Sequence, residues 1–186
     1  FVFDPTGKFI QAFGAQFQGG GHGIDVRDED GQEFLYVAAY QQVKAFAKLT
    51  LNGETVWYRK APMESGVYAP GEDTSTEPTW TRSGFLLADG YGTCCIHRYD
   101  KDAKWVSSFG GAGDGQGTFN TAHGLWIDKR PGREPSIVVT DRAHDTLQIF
   151  TMDGEYKETL TGFGLPANID TWKNLMLVPE LKACEL

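Results

Sequence analysis

The chain has 186 residues, 40% of them apolar and 23% charged, which suffices for one globular domain with a sizeable core. Its net charge is −8, and no run of Lys or Arg stands out, which argues against nucleic acid or an anionic membrane surface as a partner. No apolar stretch approaches the roughly 20 residues of a membrane-spanning helix. The three cysteines show neither metal-binding CxxC spacing nor a disulfide framework.

Short strands and tight turns recur from the N-terminus onward. One kind of hairpin, with Asp or Asn and Gly or Ala at its turn, occurs four times, at 3–14, 50–58, 99–110 and 151–162. A strand precedes each of the last three, at 33–40, 84–91 and 136–142, and another begins at 174. Further upstream lies a leading strand in each unit, at 22–26, 79–83, 123–128 and 167–172. No helical periodicity interrupts this pattern.

The leading strands begin at residues 22, 79, 123 and 167, so the unit is about 44 residues long with one insertion at 61–78. Four short strands in about 44 residues are typical of a propeller blade. We therefore predict one all-β propeller domain over residues 1–186. Blades are expected at 22–60, 79–110 and 123–162, with the end of a blade at 1–14 and the start of another at 167–186. Either the two ends combine into a fourth blade, or the chain is part of a larger ring truncated at both ends, which is our expectation.

Propeller topology predicts which side chains share a face. In a blade, the loop entering the first strand and the loop after the second strand lie on the same side of the ring. His22 and His123 begin first strands, in "GGHGIDV" (20–26) and "TAHGLWID" (121–128). Further polar and aromatic residues end a second strand or follow one; these are Asp89, Tyr91, Asp141, Arg142 and His144. We expect them near the axis of one face, where binding groups are commonly displayed.

Two histidines facing each other across a channel could share a metal ion, because imidazole is the commonest protein ligand of zinc. The corresponding starts of the other two units carry Thr79 and Ala167, so a third ligand is not among these positions. The alternative is that His-Gly is a turn of the repeat, with the imidazole bonded to backbone. Gly124 is expected to prevent a clash at the innermost strand.

The other candidates also have structural interpretations. Asp89 and Asp141 are expected mainly to cap the turn between second and third strands, as Asp side chains often do. Arg142 could pair with a carboxylate, and Tyr91 could be a packing residue. His144 is a loop contact or a rim contact to substrate or metal. The remaining histidine, His97, alternates within a third strand and is expected to be half exposed.

At these residues the chain resembles the NHL-type six-bladed propellers, and within them the lyase domain of peptidylglycine amidating enzymes and bacterial relatives of unassigned function. The resemblance covers residues 3–180, and its specific part is the ordered set His22, Tyr91, His123 and Arg142. It implies that the two histidines bind a catalytic zinc with a third histidine of a later blade. It also implies that Tyr91 and Arg142 act on the substrate, a peptidyl-α-hydroxyglycine, which is cleaved to a peptide amide and glyoxylate.

The chain departs from that family at several points. Gly92 and Cys95 stand where the lyase has a cysteine and an arginine, and the third histidine does not occur in these 186 residues. The first hypothesis is a metal-dependent lyase of the amidating-lyase type or a close hydrolytic relative, with zinc as the metal to consider first and structural calcium as the second. The alternative is a non-enzymatic propeller that binds a peptide, a glycan or a partner protein on the same face. The resemblance slightly favours an extracytoplasmic location, and an open ring would favour association of copies through its strand edges.

Overall fold

The computed structural model describes residues 1–41, 43–69, 77–81 and 84–182, with the backbone alone described at 77–81. Sixteen strands are present in these ranges: β1 (Val2–Phe3), β2 (Phe9–Gln11), β3 (Gly21–Glu29), β4 (Gln32–Ala39), β5 (Ala45–Thr50), β6 (Thr55–Arg59), β7 (Glu77–Thr81), β8 (Gly84–Ala88), β9 (Cys95–Asp100), β10 (Trp105–Gly110), β11 (Ala122–Asp128), β12 (Ser136–Asp141), β13 (Thr146–Phe150), β14 (Tyr156–Leu160), β15 (Asp170–Trp172) and β16 (Leu175–Leu177). Three single-turn 3₁₀ helices lie at Ala15–Phe17, Met63–Ser65 and Arg142–His144. Among the described residues, no helix is long and apolar enough to cross a membrane.

The strands form three four-stranded antiparallel sheets and two hairpins. The sheets have the orders β3-β4-β5-β6, β7-β8-β9-β10 and β11-β12-β13-β14, and the hairpins are β1-β2 and β15-β16. In every sheet the strands therefore follow one another in chain order, as in a propeller blade. The all-β propeller fold predicted from the repeat is confirmed. For brevity, the three sheets are called blades one, two and three.

Contacts between blades run through their first strands. Strand β7 contacts both β3 and β11, so the first strands lie side by side at the axis. The hairpins predicted at 50–58, 99–110 and 151–162 join the third and fourth strands of the blades. The first strand of blade two begins at Glu77, two residues before the predicted start, and its predicted end at 82–83 lies outside the described residues, as do residues 70–76 and 183–186.

The core consists of apolar layers between neighbouring blades. The largest layer joins blades two and three, where Leu86 and Ile96 pack with Phe119, Ile137 and Phe150. A second layer joins blades one and two and contains stacked rings, with Phe85 and Tyr99 centroids 4.8 Å apart. Offset and edge-to-face ring pairs stabilise such layers beyond the area they bury. The blades are thus held rigidly enough to present loops from different blades at a common axis.

Candidate active site at the propeller axis

Both His-Gly motifs lie in an irregularity of the strand pairing. The register of β3 against β4 shifts between Gly21 and Ile24, and the register of β11 against β12 shifts between Ala122 and Leu125. His22 and His123 each occupy this shift, whereas the register recorded for β7 against β8 is regular. A bulge redirects a side chain away from the ladder, and bulges are over-represented beside active sites. The repeated motif is thus a local device that turns a histidine out of its sheet.

The two bulges bring their histidines together. The ring centroids of His22 and His123 are 5.1 Å apart, with the ring planes at 64°. Two imidazoles bound to one tetrahedral zinc at about 2.0–2.1 Å have centroids about 5 Å apart. Both side chains are half-buried. Residues 101 positions apart in the sequence therefore stand at a separation compatible with a shared ion.

The orientation of His123 is fixed by the backbone. Its Nδ1 lies 2.6 Å from the carbonyl oxygen of Ala167, to which a protonated Nδ1 donates a hydrogen bond. That bond selects the tautomer in which Nε2 carries the lone pair, as second-shell carbonyls do for zinc-bound histidines. The bulged N–H of Gly124 donates to Thr140 Oγ1 at 2.6 Å, which holds the bulge itself. The His123 imidazole can therefore bond the backbone through Nδ1 and still offer Nε2 to a metal ion.

Glycine at position 124 is required by the packing. A Cβ there would lie 2.6 Å from the Cα atom of Asn168 and 3.0 Å from the Ala167 carbonyl oxygen. The clash predicted at this innermost strand is confirmed. The same close approach that demands glycine also brings the Ala167 carbonyl to the His123 ring.

Tyr91 completes a compact group with the histidines. Its ring centroid lies 6.0 Å from that of His22 and 5.8 Å from that of His123, both in edge-on geometry. Tyr91 is 40% exposed. The guanidinium carbon of Arg142 lies 5.3 Å from the Tyr91 ring centroid. All three blades thus contribute to the same place, and the groups are His22 from blade one, Tyr91 from blade two, and His123 and Arg142 from blade three.

Tyr40 belongs to the same group and was not predicted from the sequence. Its ring stacks on Tyr91 at 5.0 Å with an interplanar angle of 20°, and lies edge-on to His22 at 5.0 Å. Tyr40 directly follows the second strand of blade one, as Arg142 follows the second strand of blade three. This shared position directly after a second strand is the signal in the repeat from which Tyr40 could have been predicted. We call these five residues, His22, Tyr40, Tyr91, His123 and Arg142, the axial cluster.

The donor set of the axial cluster fits part of a zinc site. Two imidazoles are suitable ligands, and a catalytic zinc takes three protein ligands with one open position. Within residues 1–41, 43–69, 77–81 and 84–182, no group of three or more His, Cys, Asp and Glu side chains could hold a metal ion. His22 and His123 therefore fit as two ligands, and a third would come from outside this part of the chain.

Asp89 lies inside blade two and does not contribute its carboxylate to the axial cluster. It is fully buried and accepts hydrogen bonds from Thr93 N–H at 2.8 Å, Thr93 Oγ1 at 2.9 Å and the Tyr68 hydroxyl at 3.0 Å. This is the turn-capping geometry expected for an Asp at the end of a second strand. The capped turn, residues 89–95, is the one that carries Tyr91.

The predicted exposure of His97 was wrong. It is fully buried rather than half exposed, with Nε2 2.6 Å from the Tyr68 hydroxyl. Tyr68 comes from the inserted segment after β6, which alternation within β9 could not reveal. Burial lowers the pKa of His97 to about 4, partly opposed by the negative charges of Asp89 and Glu64. The imidazole is therefore neutral at physiological pH.

Asp141 and His144 form a separate cluster in blade three. The buried Asp141 carboxylate accepts from Asn120 N–H at 2.8 Å and Gln148 Nε2 at 2.9 Å, and lies 2.7 Å from His144 Nδ1. His144 Nε2 lies 3.2 Å from the exposed Asp114. The hydrogen bond to Asp141 is the main cause of a raised His144 pKa. The proposed rim role of His144 stays a prediction. The backbone N–H that Asp141 accepts belongs to Asn120, which precedes the first strand of the blade, so this bond is not the predicted cap of the turn after the second strand.

Comparisons with known proteins identify the fold. No family model matches the sequence, and no curated protein matches it. Among solved structures, virginiamycin B lyase from Staphylococcus aureus is similar over 81% of this chain and 45% of its own, with TM-score 0.56 and 14% identity. A streptogramin B lyase structure matches over 81% of this chain and 44% of its own, with TM-score 0.57 and 16% identity.

A protein of unknown function from Bacteroides caccae is also similar, over 90% of this chain and 60% of its own, with TM-score 0.55 and 14% identity. The chain spans less than half the length of the two lyase chains. Virginiamycin B lyase is a β-propeller protein, so the likeness supports the propeller fold. At these identities the likeness carries the fold alone, and the chemistry rests on the axial cluster.

Proposed function

We propose that this propeller is a metal-dependent lyase that cleaves the C–N bond of a carbinolamide, as the resemblance to the amidating lyases implies. The observation that carries the proposal is the convergence of His22, Tyr91, His123 and Arg142 from three blades. The pair of imidazoles at a 5.1 Å centroid separation supports the zinc assignment. The NHL assignment and a six-bladed ring belong to the same proposal.

Each residue has a defined task in this reaction. His22 and His123 would hold the zinc, which supplies Lewis acidity to the carbinol oxygen. The oxygen of Tyr91, as the general base, would accept the proton of the carbinol hydroxyl while the C–O bond becomes a carbonyl and the C–N bond breaks. The electron pair of that bond goes to the amide nitrogen, which recovers the proton from the Tyr91 phenol. The products are a primary amide and glyoxylate.

Arg142 serves the substrate carboxylate and the base together. A guanidinium binds a carboxylate through two parallel hydrogen bonds, which fixes the α-carbon relative to the metal. Its guanidinium carbon also lies 5.3 Å from the Tyr91 ring centroid, which places a positive charge beside the ring of the proposed base. The alternative function, a scaffold that binds a peptide, glycan or protein on this face, would use the same exposed rings without the proton transfer.

The decisive experiment measures zinc and turnover on the protein expressed at its natural full length. Elemental mass spectrometry of the wild type is compared with His22→Ala, His123→Ala and the control His144→Ala, whose imidazole is bonded to Asp141 and Asp114. We expect near-stoichiometric zinc in the wild type and the control, and at least a tenfold loss of affinity in both axial variants.

Turnover of a peptidyl-α-hydroxyglycine is then followed by glyoxylate release. Tyr91→Phe is expected to lower kcat by at least a hundredfold while zinc is retained. Absence of zinc from the wild type after reconstitution would overturn the metal-dependent mechanism. Zinc without glyoxylate release would leave the metal site standing and turn the search to ligands of this face.

A further inference from the structure

A second tyrosine supports the axial cluster from blade one. The backbone of Tyr40 is anchored directly to the glycine run that precedes His22. Its N–H donates to the Gly20 carbonyl oxygen at 2.8 Å, and its own carbonyl accepts from Val43 N–H at 3.3 Å. A Cβ at Gly20 would lie 2.3 Å from the Tyr40 carbonyl oxygen, so this approach requires glycine. The position of Tyr40 is therefore fixed relative to the strand that carries His22.

The ring of Tyr40 contacts two members of the cluster that have different tasks. It stacks on Tyr91 and meets the His22 ring edge-on, both at 5.0 Å between centroids. Within the described part of the chain, the Tyr40 hydroxyl, by contrast, accepts only an exposed hydrogen bond from the neighbouring Gln41 Nε2 at 2.9 Å. Tyr40 thus links the proposed base of blade two to a proposed metal ligand of blade one.

The Tyr91 ring needs such a contact because it is 40% exposed. An exposed aromatic side chain changes rotamer on the nanosecond scale unless packing restrains it. A general base acts only within hydrogen-bond reach of the proton, and a displacement of about 1 Å can lower the rate by about a hundredfold. Restraint of the phenol is therefore a requirement of the proposed reaction.

We propose that Tyr40 is a positioning residue that holds the Tyr91 phenol against the His22–His123 pair through ring stacking, with its hydroxyl dispensable. This inference rests on the proposed function, because it concerns the geometry of that base. It assigns to blade one a role in the proton transfer as well as in metal binding.

The test compares Tyr40→Leu, which removes the ring, with Tyr40→Phe, which keeps the ring and removes the hydroxyl. We expect Tyr40→Leu to lower kcat on the peptidyl-α-hydroxyglycine by ten- to a hundredfold with KM changed less than threefold. Tyr40→Phe is expected to restore kcat to within about threefold of the wild type. Tyr58→Leu is the matched control, since it also removes a stacked tyrosine, from Phe17, in the outer strand of blade one.

A second readout does not depend on activity. In protein with ring-labelled tyrosine, the Tyr91 signal is assigned by its loss in Tyr91→Phe. Its ring-current shift should disappear in Tyr40→Leu and persist in Tyr40→Phe and Tyr58→Leu. An unchanged Tyr91 shift in Tyr40→Leu would show that no stack exists, and an unchanged kcat with the shift lost would show that the stack does not position the base.

The outcomes separate the two proposals. A wild type that releases no glyoxylate contradicts the proposed function, and the role of Tyr40 in it falls as well. A wild type that turns over, beside a Tyr40→Leu variant that turns over equally, contradicts the positioning role alone. A loss that Tyr40→Phe shares with Tyr40→Leu would overturn the stacking argument, because the hydroxyl would then be required.

Discussion

The repeat displays polar side chains in two regions that behave differently. At the start of the first strands, His22 and His123 are turned toward the axis by bulges and meet there across blades. At the end of the second strands, the Asp89 carboxylate holds the following turn through Thr93. The Asp141 carboxylate instead accepts from Asn120 N–H, before the first strand of its blade, and from Gln148 in the third strand. The two regions are adjacent in space, since Ala122, next to His123, pairs with Asp141 across the first two strands of blade three. The histidines nevertheless meet at the axis, whereas the aspartates bond within the fold.

This difference shows how a propeller can vary its chemistry at constant architecture. The carboxylates of Asp89 and Asp141 are engaged in hydrogen bonds to backbone and to neighbouring side chains within the fold. The turn residues that come after the caps, Tyr91 and Arg142, are then free to differ between blades. Function in such a ring therefore depends on residues whose positions are fixed by the repeat but whose identities are not.

The largest predicted effect is the pH dependence of stability that His97 causes in the interior of blade two. Burial lowers the pKa of His97 to about 4, below the roughly 6.5 of an unfolded histidine. Below pH 6.5 the unfolded chain binds a proton that the folded protein does not, so stability is complete above pH 6.5 and falls as the pH drops toward 4. Between pH 7 and pH 4.5 we expect about 2 to 3 kcal/mol of lost unfolding free energy from this group.

The measurement is urea unfolding of the wild type and His97→Gln at pH 7 and pH 4.5. On acidification the wild type should lose about 2 to 3 kcal/mol more unfolding free energy than His97→Gln, since the carboxylates titrate alike in both proteins. Parallel losses in the two proteins would mean that His97 titrates in the folded state as an accessible histidine, and that the interior network is open to water.

The sequence alone was sufficient for the blade pattern, because hairpin turns and alternation repeat at a fixed period. From their positions at strand ends it also predicted that His22, Tyr91, His123 and Arg142 lie near one another on one face. The structure brings them together, and their roles stay predictions. The sequence could not place His97, whose partner Tyr68 belongs to an insertion without a counterpart in the other blades. It did not find Tyr40 because a tyrosine after a strand has no chemical signature until Tyr91 is seen to stack on it.

A smaller effect tests the axial side of the comparison. Gly124→Ala would place a Cβ 2.6 Å from the Asn168 Cα, so backbone must move where the blade-three strand meets the next segment. We expect a loss of about 2 kcal/mol in unfolding free energy, typical of overpacking. Displacing Ala167 should also weaken its bond to His123 and, if the proposed zinc site is correct, lower the zinc affinity.

Gly115→Ala is the control for this variant. The nearest atom to a Cβ at that position is Thr118 Oγ1 at 3.7 Å, an ordinary contact. Its unfolding free energy should stay within about 0.5 kcal/mol of the wild type. If Gly124→Ala is equally neutral by urea unfolding, the close approach at the axis does not constrain the fold, and the His123–Ala167 bond needs another explanation.

The smallest effect distinguishes the rim of blade three from the interior of blade two, because the sign of its pH dependence is opposite. Asp141, with a lesser contribution from Asp114, raises the pKa of His144 above its unfolded value. The resulting stabilisation is fully present below the unfolded pKa of about 6.5 and is lost as the pH rises through the folded pKa. Because His144 is partly exposed, we expect this stabilisation to be less than about 1 kcal/mol.

The unfolding free energy of the wild type minus that of His144→Gln should therefore be larger at pH 5.5 than at pH 8.5. A difference that grows with pH would show that His144 is held as the neutral imidazole, as His97 is, and that the rim of blade three does not differ from the interior of blade two in this respect.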